Sequence, residues 1–265
     1  MIRRVACLLL LAAVLAFNGC AARTIPAKNT NGLYGKFRAA YSSCNATGMK
    51  STASLYYTSQ GKGHRTTMTL WGDLTTPLRL DVRAGIGAYL AHIREDASGL
   101  TAFYPDQKTA YVHSSPSRGV KMLGLPFPFS LKDLAGLISG CYQSLIPEKY
   151  TSMTGTGEDG NLLFVFKNGP VSAITLTAEG IPTAITGRGE IPWNMELADY
   201  ENDGSGKMLP GKITVFTGNG DKAILRVKSR NLSAERWPDG SMEMDLPEGT
   251  QTVRLDRNGY DQEIN

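Results

Sequence analysis

Apolar and polar residues alternate over many short stretches of the chain, which is the pattern of strands with one buried face. In the clearest stretch, Leu78, Leu80, Val82 and Ala84 fall on one side and charged residues fall on the other. Comparable stretches, each bounded by turn residues, lie at 64–71, 88–94, 100–104, 108–113, 162–167, 171–177, 181–186, 212–217, 223–229 and near Val253. Short turns between successive strands favour antiparallel neighbours, because parallel neighbours need long crossovers. The alternation therefore predicts an antiparallel sheet of ten or eleven strands.

A segment whose apolar residues have helical spacing precedes the alternating stretches. Tyr34, Phe37, Tyr41 and Cys44 recur at intervals of three and four residues, and the charged residues between them fall off that stripe. This spacing predicts an amphipathic helix ahead of the sheet, with Gly48 as a stop signal after it.

A second helix is predicted in the middle of the sheet sequence. Ser130 with Asp133 three residues later is a signature of a helix N-terminus, and Gly140 marks the end. Two prolines and two phenylalanines precede this helix within the segment 123–129. Its single apolar face is formed by Leu131, Leu134, Leu137 and Ile138.

This apolar helix has two interpretations, and the pattern alone leaves both open. It is either a plug that fills the core of the curved sheet or a lid over an apolar cavity between helix and sheet. Under the second interpretation, the candidate cavity residues are Trp71, Tyr89, Phe103, Phe127, Phe129, Leu134, Leu137 and Ile138. In both cases the sequence predicts one α+β domain, with a highly curved antiparallel sheet and a few helices on one side of it.

Residues 1–19 have the organisation of an export signal. Two arginines precede an apolar run of 13 residues, which is shorter than the about 20 residues that a membrane-spanning helix needs. The signal ends in Asn-Gly before Cys20, which resembles the lipobox of bacterial lipoproteins, so Cys20 is the predicted lipid-attachment site. An ordinary signal peptide with a chance cysteine is the alternative. The polar residues 20–31 are predicted to form a lipidated N-terminus and flexible tether.

Charge and cysteine content narrow the class of protein. The chain has 28 basic and 24 acidic residues, and the two signs are interspersed, which argues against a nucleic-acid-binding protein. Of the four cysteines, Cys7 leaves with the signal and Cys20 carries lipid. An exported compartment is oxidising, so Cys44 and Cys141 are predicted to form one disulfide or to remain as two buried thiols.

The sequence offers few residues for catalysis. His64, His92 and His113 each lie in a predicted strand, without a second ligand at metal-binding spacing. No serine lies in a Gly-x-Ser-x-Gly elbow. We therefore expect no metal, no cofactor and no enzymatic activity.

Three segments resemble, in matching order, motifs of the LolB family within the LolA/LolB lipoprotein-sorting superfamily. Residues 69–76 and the strand after them are similar to the family's Leu-x-Gly-Pro-Leu-Gly hairpin. Residues 124–140 are similar to its Gly-hydrophobic-Pro-hydrophobic-Pro-Leu-x-x-Leu segment, and residues 209–228 to its closing pair of strands. The resemblance implies one domain over residues 32–232, followed by a C-terminal extension over 233–265.

The resemblance also implies a function. The fold would be an incomplete β-barrel with a helical lid, whose apolar cavity receives lipoprotein acyl chains without a cofactor. The protein would be anchored by its N-terminal lipid at the periplasmic face of the outer membrane of a Gram-negative bacterium. It would take acylated cargo from a periplasmic LolA-like carrier and help insert it into that membrane, with Leu74 in a membrane-contact loop.

Two features depart from the family pattern. Asp73 stands beside Leu74 where the family has proline, and the C-terminal extension is longer than in a typical receptor. These departures leave open a divergent protein with another cargo. The alternative function is a structural or interaction lipoprotein of the same fold, with a filled cavity and no lipid transfer.

Overall fold

The computed structural model describes residues 31–257 except 43, 60, 86 and 157–159. The predicted signal peptide 1–19, the lipid-attachment site Cys20, nearly all of the tether and residues 258–265 lie outside the described residues.

The described chain forms three α-helices and fourteen strands. The helices are α1 (Asn31–Tyr41), α2 (Pro116–Met122) and α3 (Leu131–Ser139), with a 3₁₀ turn at Pro105–Gln107. The strands are β1 (Gly48–Ser59), β2 (Lys62–Asp73), β3 (Leu78–Ala84), β4 (Ala88–Asp96), β5 (Gly99–Tyr104), β6 (Thr109–His113), β7 (Ser152–Gly155), β8 (Leu162–Val165), β9 (Val171–Leu176), β10 (Pro182–Gly187), β11 (Trp193–Asn202), β12 (Met208–Thr217), β13 (Lys222–Ser233) and β14 (Gln251–Arg254).

All these strands belong to one open, strongly curved sheet, in the order β14-β6-β5-β4-β3-β2-β1-β13-β12-β11-β10-β9-β8-β7. Successive hairpins build two runs, β1–β6 and β7–β13, and the antiparallel pairing of β1 with β13 joins them. The described pairings are antiparallel except that of β14 with β6, which is parallel. The predicted curved antiparallel sheet is confirmed, but the described strands number fourteen instead of ten or eleven.

Three strands account for the difference in number. In β1 the inward positions include Ser51 and Ala53, and such small residues weaken the apolar alternation. β11 alternates clearly over Trp193, Met195 and Leu197, but its second half is acidic and has the composition of a turn. β7 has four residues, too few to show a period. The short helix α2 was not predicted either.

The interior of the curved sheet is filled largely by α3. This helix contacts β1, β3, β12 and β13. Its predicted ends are confirmed: the Ser130 side chain accepts a hydrogen bond from Asp133 N at 3.2 Å, and Gly140 takes the left-handed conformation with φ of 69°. The apolar face is fully buried, so this helix is a plug in the core.

One end of the curved sheet, which we call the disulfide end, is closed by α1. The rings of Phe37, Tyr41 and Tyr142 stack with centroids 5.4–6.1 Å apart. Cys44, just after α1, is joined by a disulfide to Cys141, just after α3, with Cα atoms 5.5 Å apart. Because the two cysteines follow different helices, this bond ties both helices together at the same end.

The chain after β13 crosses the outward face of the sheet, and we call residues 234–257 the C-terminal strap. The buried carboxylate of Asp73 accepts hydrogen bonds from Arg236 Nε at 2.8 Å and Trp237 N at 2.9 Å. The Trp237 ring packs edge-on against Trp71, with centroids 5.1 Å apart. β14 then adds the end of the strap to β6. The two departures from the family pattern are therefore one feature, because the unusual aspartate holds the long extension.

Candidate functional site

An open groove lies at the other end of the curved sheet, between central strands and the helix α2 with the segment after it, and we call this the groove end. One wall is α2 with the segment 123–128, and the other is the loop 188–192 with the adjoining parts of β11, β12 and β13. The groove has a volume of about 370 Å³. Its apolar lining comes from Leu125, Phe127, Ile191, Trp193, Val215 and Ala223.

The first wall follows from the glycine and prolines after α2. Gly124 takes a left-handed conformation with φ of 64°, which ends the helix, and the two prolines at 126 and 128 prevent it from resuming. Phe127 lines the groove and stacks on Phe129 with ring centroids 5.9 Å apart. Phe129 in turn packs edge-on against Trp193 at 5.9 Å, which couples this wall to the sheet.

The sheet side of the groove is built by neighbouring strand positions. Val215 of β12 pairs with Ala223 of β13, and Ala223 pairs with Tyr57 of β1. The small alanine between two larger side chains leaves a depression. Gly187 is required beside it, because a Cβ at this position would overlap the Trp193 indole.

The rim of the groove is charged. Its basic side chains are Arg118, Lys121, Arg188 and Lys222, and its acidic side chains are Glu190 and Asp221. Lys121 of α2 pairs with Glu190 of the opposite loop, so an ion pair between exposed side chains spans the two walls. Exposed pairs of this kind contribute about 0–1 kcal/mol, so the walls are held together only weakly at this point.

The size of the groove limits what it can hold. A methylene group is close in size to a water molecule, which takes about 30 Å³ in the liquid. A volume of about 370 Å³ therefore accommodates roughly a dozen methylenes, most of one acyl chain. Its volume also falls at the lower end of the roughly 300–1,000 Å³ found for small-ligand sites.

The predicted cavity residues divide into three groups. Phe127 lines the groove, and Phe129 is buried directly behind it. Leu134, Leu137 and Ile138 are fully buried on α3, so they fill the core and do not line open space. Of the two interpretations of α3, this packing fits the plug and not the lid, and the groove is lined by α2 and the segment after it instead of by α3.

Trp71, Tyr89 and Phe103 lie on the outward face of the sheet, which corrects their assignment to the cavity. Their neighbours in the strands, such as Leu70 and Ala102, belong to the inward core instead. The strap and the polar side chains of the outward face cover them. For Trp71 and Phe103 the mistake arose because alternation separates the two faces of a strand without telling which one faces the core when both are covered. For Tyr89 the reason is a β-bulge between Tyr89 and Ala91, which reverses the alternation within β4.

A polar network joins these outward residues. Asp81 accepts hydrogen bonds from Arg79 Nε at 3.1 Å and from the Trp71 indole at 3.3 Å, and His92 Nδ1 lies 2.6 Å from its carboxylate. Burial acts to raise the pKa of Asp81, but the hydrogen bond from His92 and the charge of Arg79 outweigh it and lower that pKa. His92 also stacks on Phe103, with centroids 6.4 Å apart. The network is structural, since each polar group in it is bonded to another.

Leu74 lies at the disulfide end, in the turn between β2 and β3. Its side chain is half-buried against the core, and its backbone N–H donates to Thr47 O at 2.8 Å. Its predicted contact with a membrane stays a prediction.

Sequence reasoning missed Glu95, a buried carboxylate that holds α3 to the sheet. It accepts hydrogen bonds from Leu131 N at 2.6 Å and Lys132 N at 3.4 Å. Burial raises the pKa of Glu95 to about 7, against an ordinary value of 4.5, although these two backbone bonds act to lower it. The available signal was its position, because Glu95 continues the inward alternation of Ala91 and Ile93.

In the described part of the chain, no three His, Cys, Asp or Glu side chains come together as a metal site. No helix within 31–257, apart from the gaps, combines the length and apolar character that crossing a membrane requires.

Comparison with known proteins identifies the fold. No protein-family model matches the sequence, and no curated protein matches it. The structure is similar to that of a LolA superfamily protein from Nitrosomonas europaea, over 81% of this chain and 97% of that one, with 12% identity and a TM-score of 0.53. It is also similar to a DUF1329 family protein from Desulfovibrio piger, over 83% of this chain and 98% of that one, with 12% identity and a TM-score of 0.53. This chain therefore has a LolA-like fold, which confirms the fold that the sequence resemblance implies.

Proposed function

We propose that this protein is a lipid-anchored outer-membrane lipoprotein that accepts lipoprotein acyl chains and helps insert them into the outer membrane. The observation that carries the proposal is an apolar groove, open to solvent, within a LolA-like fold. A chain can enter this groove without disturbing α3. In this proposal the groove replaces the space behind α3 as the place where acyl chains bind.

Transfer by such a site needs no covalent chemistry. Each methylene that leaves water contributes roughly 0.8 kcal/mol, so a chain that occupies the groove is held by apolar contact alone. A bilayer offers the same kind of contact over a longer chain. Cargo therefore moves from the carrier to the groove and then to the membrane, because each of these binds the acyl chain more tightly than the one before it.

Anchoring and partners belong to the same proposal. The export signal and the Gly-Cys pair at Cys20 support a lipid anchor, and Ala21 after it favours the outer membrane over the inner one. The donor would be a periplasmic LolA-like carrier that presents acyl chains to the groove. The Leu74 side chain is half-buried against the core, so contact with a membrane requires its turn to move away from the core.

A second candidate function is supported by the packing of α3. Its whole apolar face is buried against the sheet, so the interior has no room for several acyl chains. A structural or interaction lipoprotein with a filled interior would show this packing. The two candidates differ in whether the groove binds apolar ligands.

Competition binding on the chain that begins at Ala21 tests the proposal. A fluorescent apolar probe is bound first, and a triacylated lipopeptide is then added at increasing concentration. We expect stoichiometric displacement, since both ligands compete for one groove. Absence of probe binding by the folded chain would select the interaction lipoprotein.

A matched pair of variants locates the binding. Leu125→Glu places a charge in the groove and is expected to lower the probe affinity at least tenfold. Leu246→Glu places the same charge at an exposed apolar position of the strap, away from the groove, and should leave the affinity unchanged. Equal effects of the two variants would show that the probe binds elsewhere.

A further inference from the structure

We propose that the groove selects acyl chains whose head end carries a negative charge, such as a phosphate ester. This inference rests on the proposed function, because it assumes that the apolar trough holds the chain. It adds a substrate class that an apolar trough alone does not determine. The argument comes from the charges at the rim.

The rim concentrates positive charge beside the apolar lining. Four basic and two acidic side chains line the groove, which gives it a net charge of +2. The whole chain has a formal net charge of +4. Arg3 and Arg4 leave with the predicted export signal, so 26 basic and 24 acidic residues remain, a net charge of +2. The excess of two positive charges at this opening therefore equals the net charge of the mature chain, and it acts on the head of a ligand whose chain enters first.

Three of the basic residues line the groove from α2 and the loop 188–192. Arg118 and Lys121 lie three residues apart on α2, and Arg188 begins the opposite loop. The Arg188 guanidinium donates to the carbonyl oxygens of Phe166, Gly169 and Val171. Carbonyl oxygens carry no net charge, so these bonds fix the guanidinium in place without neutralising it.

The carboxylate of Glu190 occupies the position beside Lys121 that the anionic head of a ligand would take. It pairs with Lys121 across the opening, and both side chains are exposed. Because an exposed pair is weak, the anionic group of a ligand can replace Glu190 at little cost. The neighbouring trough, lined by Leu125 and Ile191, then receives the chain.

Three amphiphiles with the same hexadecyl chain test the selection by displacement of the fluorescent probe, at concentrations below micelle formation. They are hexadecyl phosphate, hexadecylphosphocholine and hexadecyltrimethylammonium, with anionic, zwitterionic and cationic heads. We expect hexadecyl phosphate to bind roughly fivefold more tightly than the zwitterion and the cation to bind most weakly. Added salt should reduce this preference, because it screens exposed charges.

Two single variants separate charge selection from a mechanical latch. Lys121→Gln should weaken binding of hexadecyl phosphate, whereas Glu190→Gln should strengthen it, each by about threefold. If the pair merely holds the walls together, both variants loosen the groove and change the affinity of all three amphiphiles in the same direction. Lys228→Gln removes an exposed charge that does not line the groove and serves as the control.

Each outcome bears on one proposal or on both. Opposite effects of the two variants, confined to the charged amphiphiles, support selection for an anionic head. Equal affinity for the three heads, or parallel effects of the variants, overturns this inference and leaves the acyl-chain function standing. If none of the three amphiphiles displaces the probe, the proposed function fails together with it.

Discussion

The disulfide end and the groove end of the curved sheet are held together by different kinds of contact. At the disulfide end, stacked aromatic rings, a covalent bond and buried carboxylates join helices and strap to the sheet. At the groove end, an ion pair between exposed side chains spans the walls above an open trough.

This difference separates stability from binding. Buried contacts and covalent links contribute kilocalories each, whereas an exposed pair contributes little. Substitutions at the disulfide end should therefore change the free energy of unfolding and leave ligand affinity alone, and substitutions at the groove end should do the reverse. A variant that changes both the free energy of unfolding and the ligand affinity would contradict this separation of the two ends.

The largest effect on stability is expected from loss of the disulfide. The bond closes a separation of 97 residues, for which the chain-entropy model gives about 4–5 kcal/mol. The double variant Cys44→Ser with Cys141→Ser should lower the free energy of unfolding by that order in urea titrations. Reduction of the parent chain should reproduce the loss, and the double variant itself should not respond to reductant. Probe affinity of the folded variant should equal that of the parent, and a matching loss of affinity would contradict the separation of the two ends.

The second largest effect on stability is a pH dependence of the free energy of unfolding that comes from Glu95. Its pKa in the folded chain is about 7 and thus above its ordinary value of 4.5, so the folded state binds more protons than the unfolded state between these values. The free energy of unfolding should therefore fall as pH rises from about 4.5 to 7, by up to about 3 kcal/mol, because the buried carboxylate becomes charged. Glu95→Gln removes this titration and keeps an oxygen that accepts from Leu131 N.

Urea titrations over this pH range check the prediction. The variant should match the parent near pH 4.5 and exceed it above pH 7. Glu248→Gln, at an exposed position of the strap away from α3, is the control and should keep the slope of the parent. An unchanged slope in Glu95→Gln would show that Glu95 is not the group responsible.

The sequence pattern predicted what depends on local periodicity and missed what depends on long-range packing. The ends of α3 at Ser130 and Gly140 were predictable because capping acts within a few residues. The alternation also separated the two faces of β3 correctly, since Leu78 and Leu80 are buried in the core. It could not show that Phe103 lies under polar groups on the outward face, because that covering comes from residues distant in sequence. The groove was missed for the same reason, since α2 with the segment 123–128 and the loop 188–192 lie sixty or more residues apart in the sequence.

A third and smaller effect is expected from the anchor of the strap. Asp73→Ala removes the acceptor of Arg236 Nε and Trp237 N, and hydrogen bonds to a charged group contribute about 1.5–3 kcal/mol. Because Arg236 is itself largely exposed, we expect a loss near the lower value, about 2 kcal/mol or less. Hydrogen exchange should become faster in residues 234–250, whereas the amides of α3 should keep their protection. Asp239→Ala, at an exposed position of the same strap, should leave exchange unchanged. Uniformly faster exchange would mean that the strap is part of the global fold instead of a separately anchored segment.

The smallest effect on stability, and the sharpest test of the comparison, is expected at Ile191 in the groove wall. Its side chain is 40% exposed, so Ile191→Ala should change the free energy of unfolding by less than about 0.5 kcal/mol. The same substitution removes apolar surface that a bound chain would contact, which should lower probe affinity by roughly fivefold. Leu90→Ala is the matched control, because Leu90 is similarly exposed at 36% but does not line the groove. It should leave both quantities unchanged. A fivefold loss at Leu90 as well would assign probe binding to exposed apolar surface in general, and the two ends would then no longer differ in function.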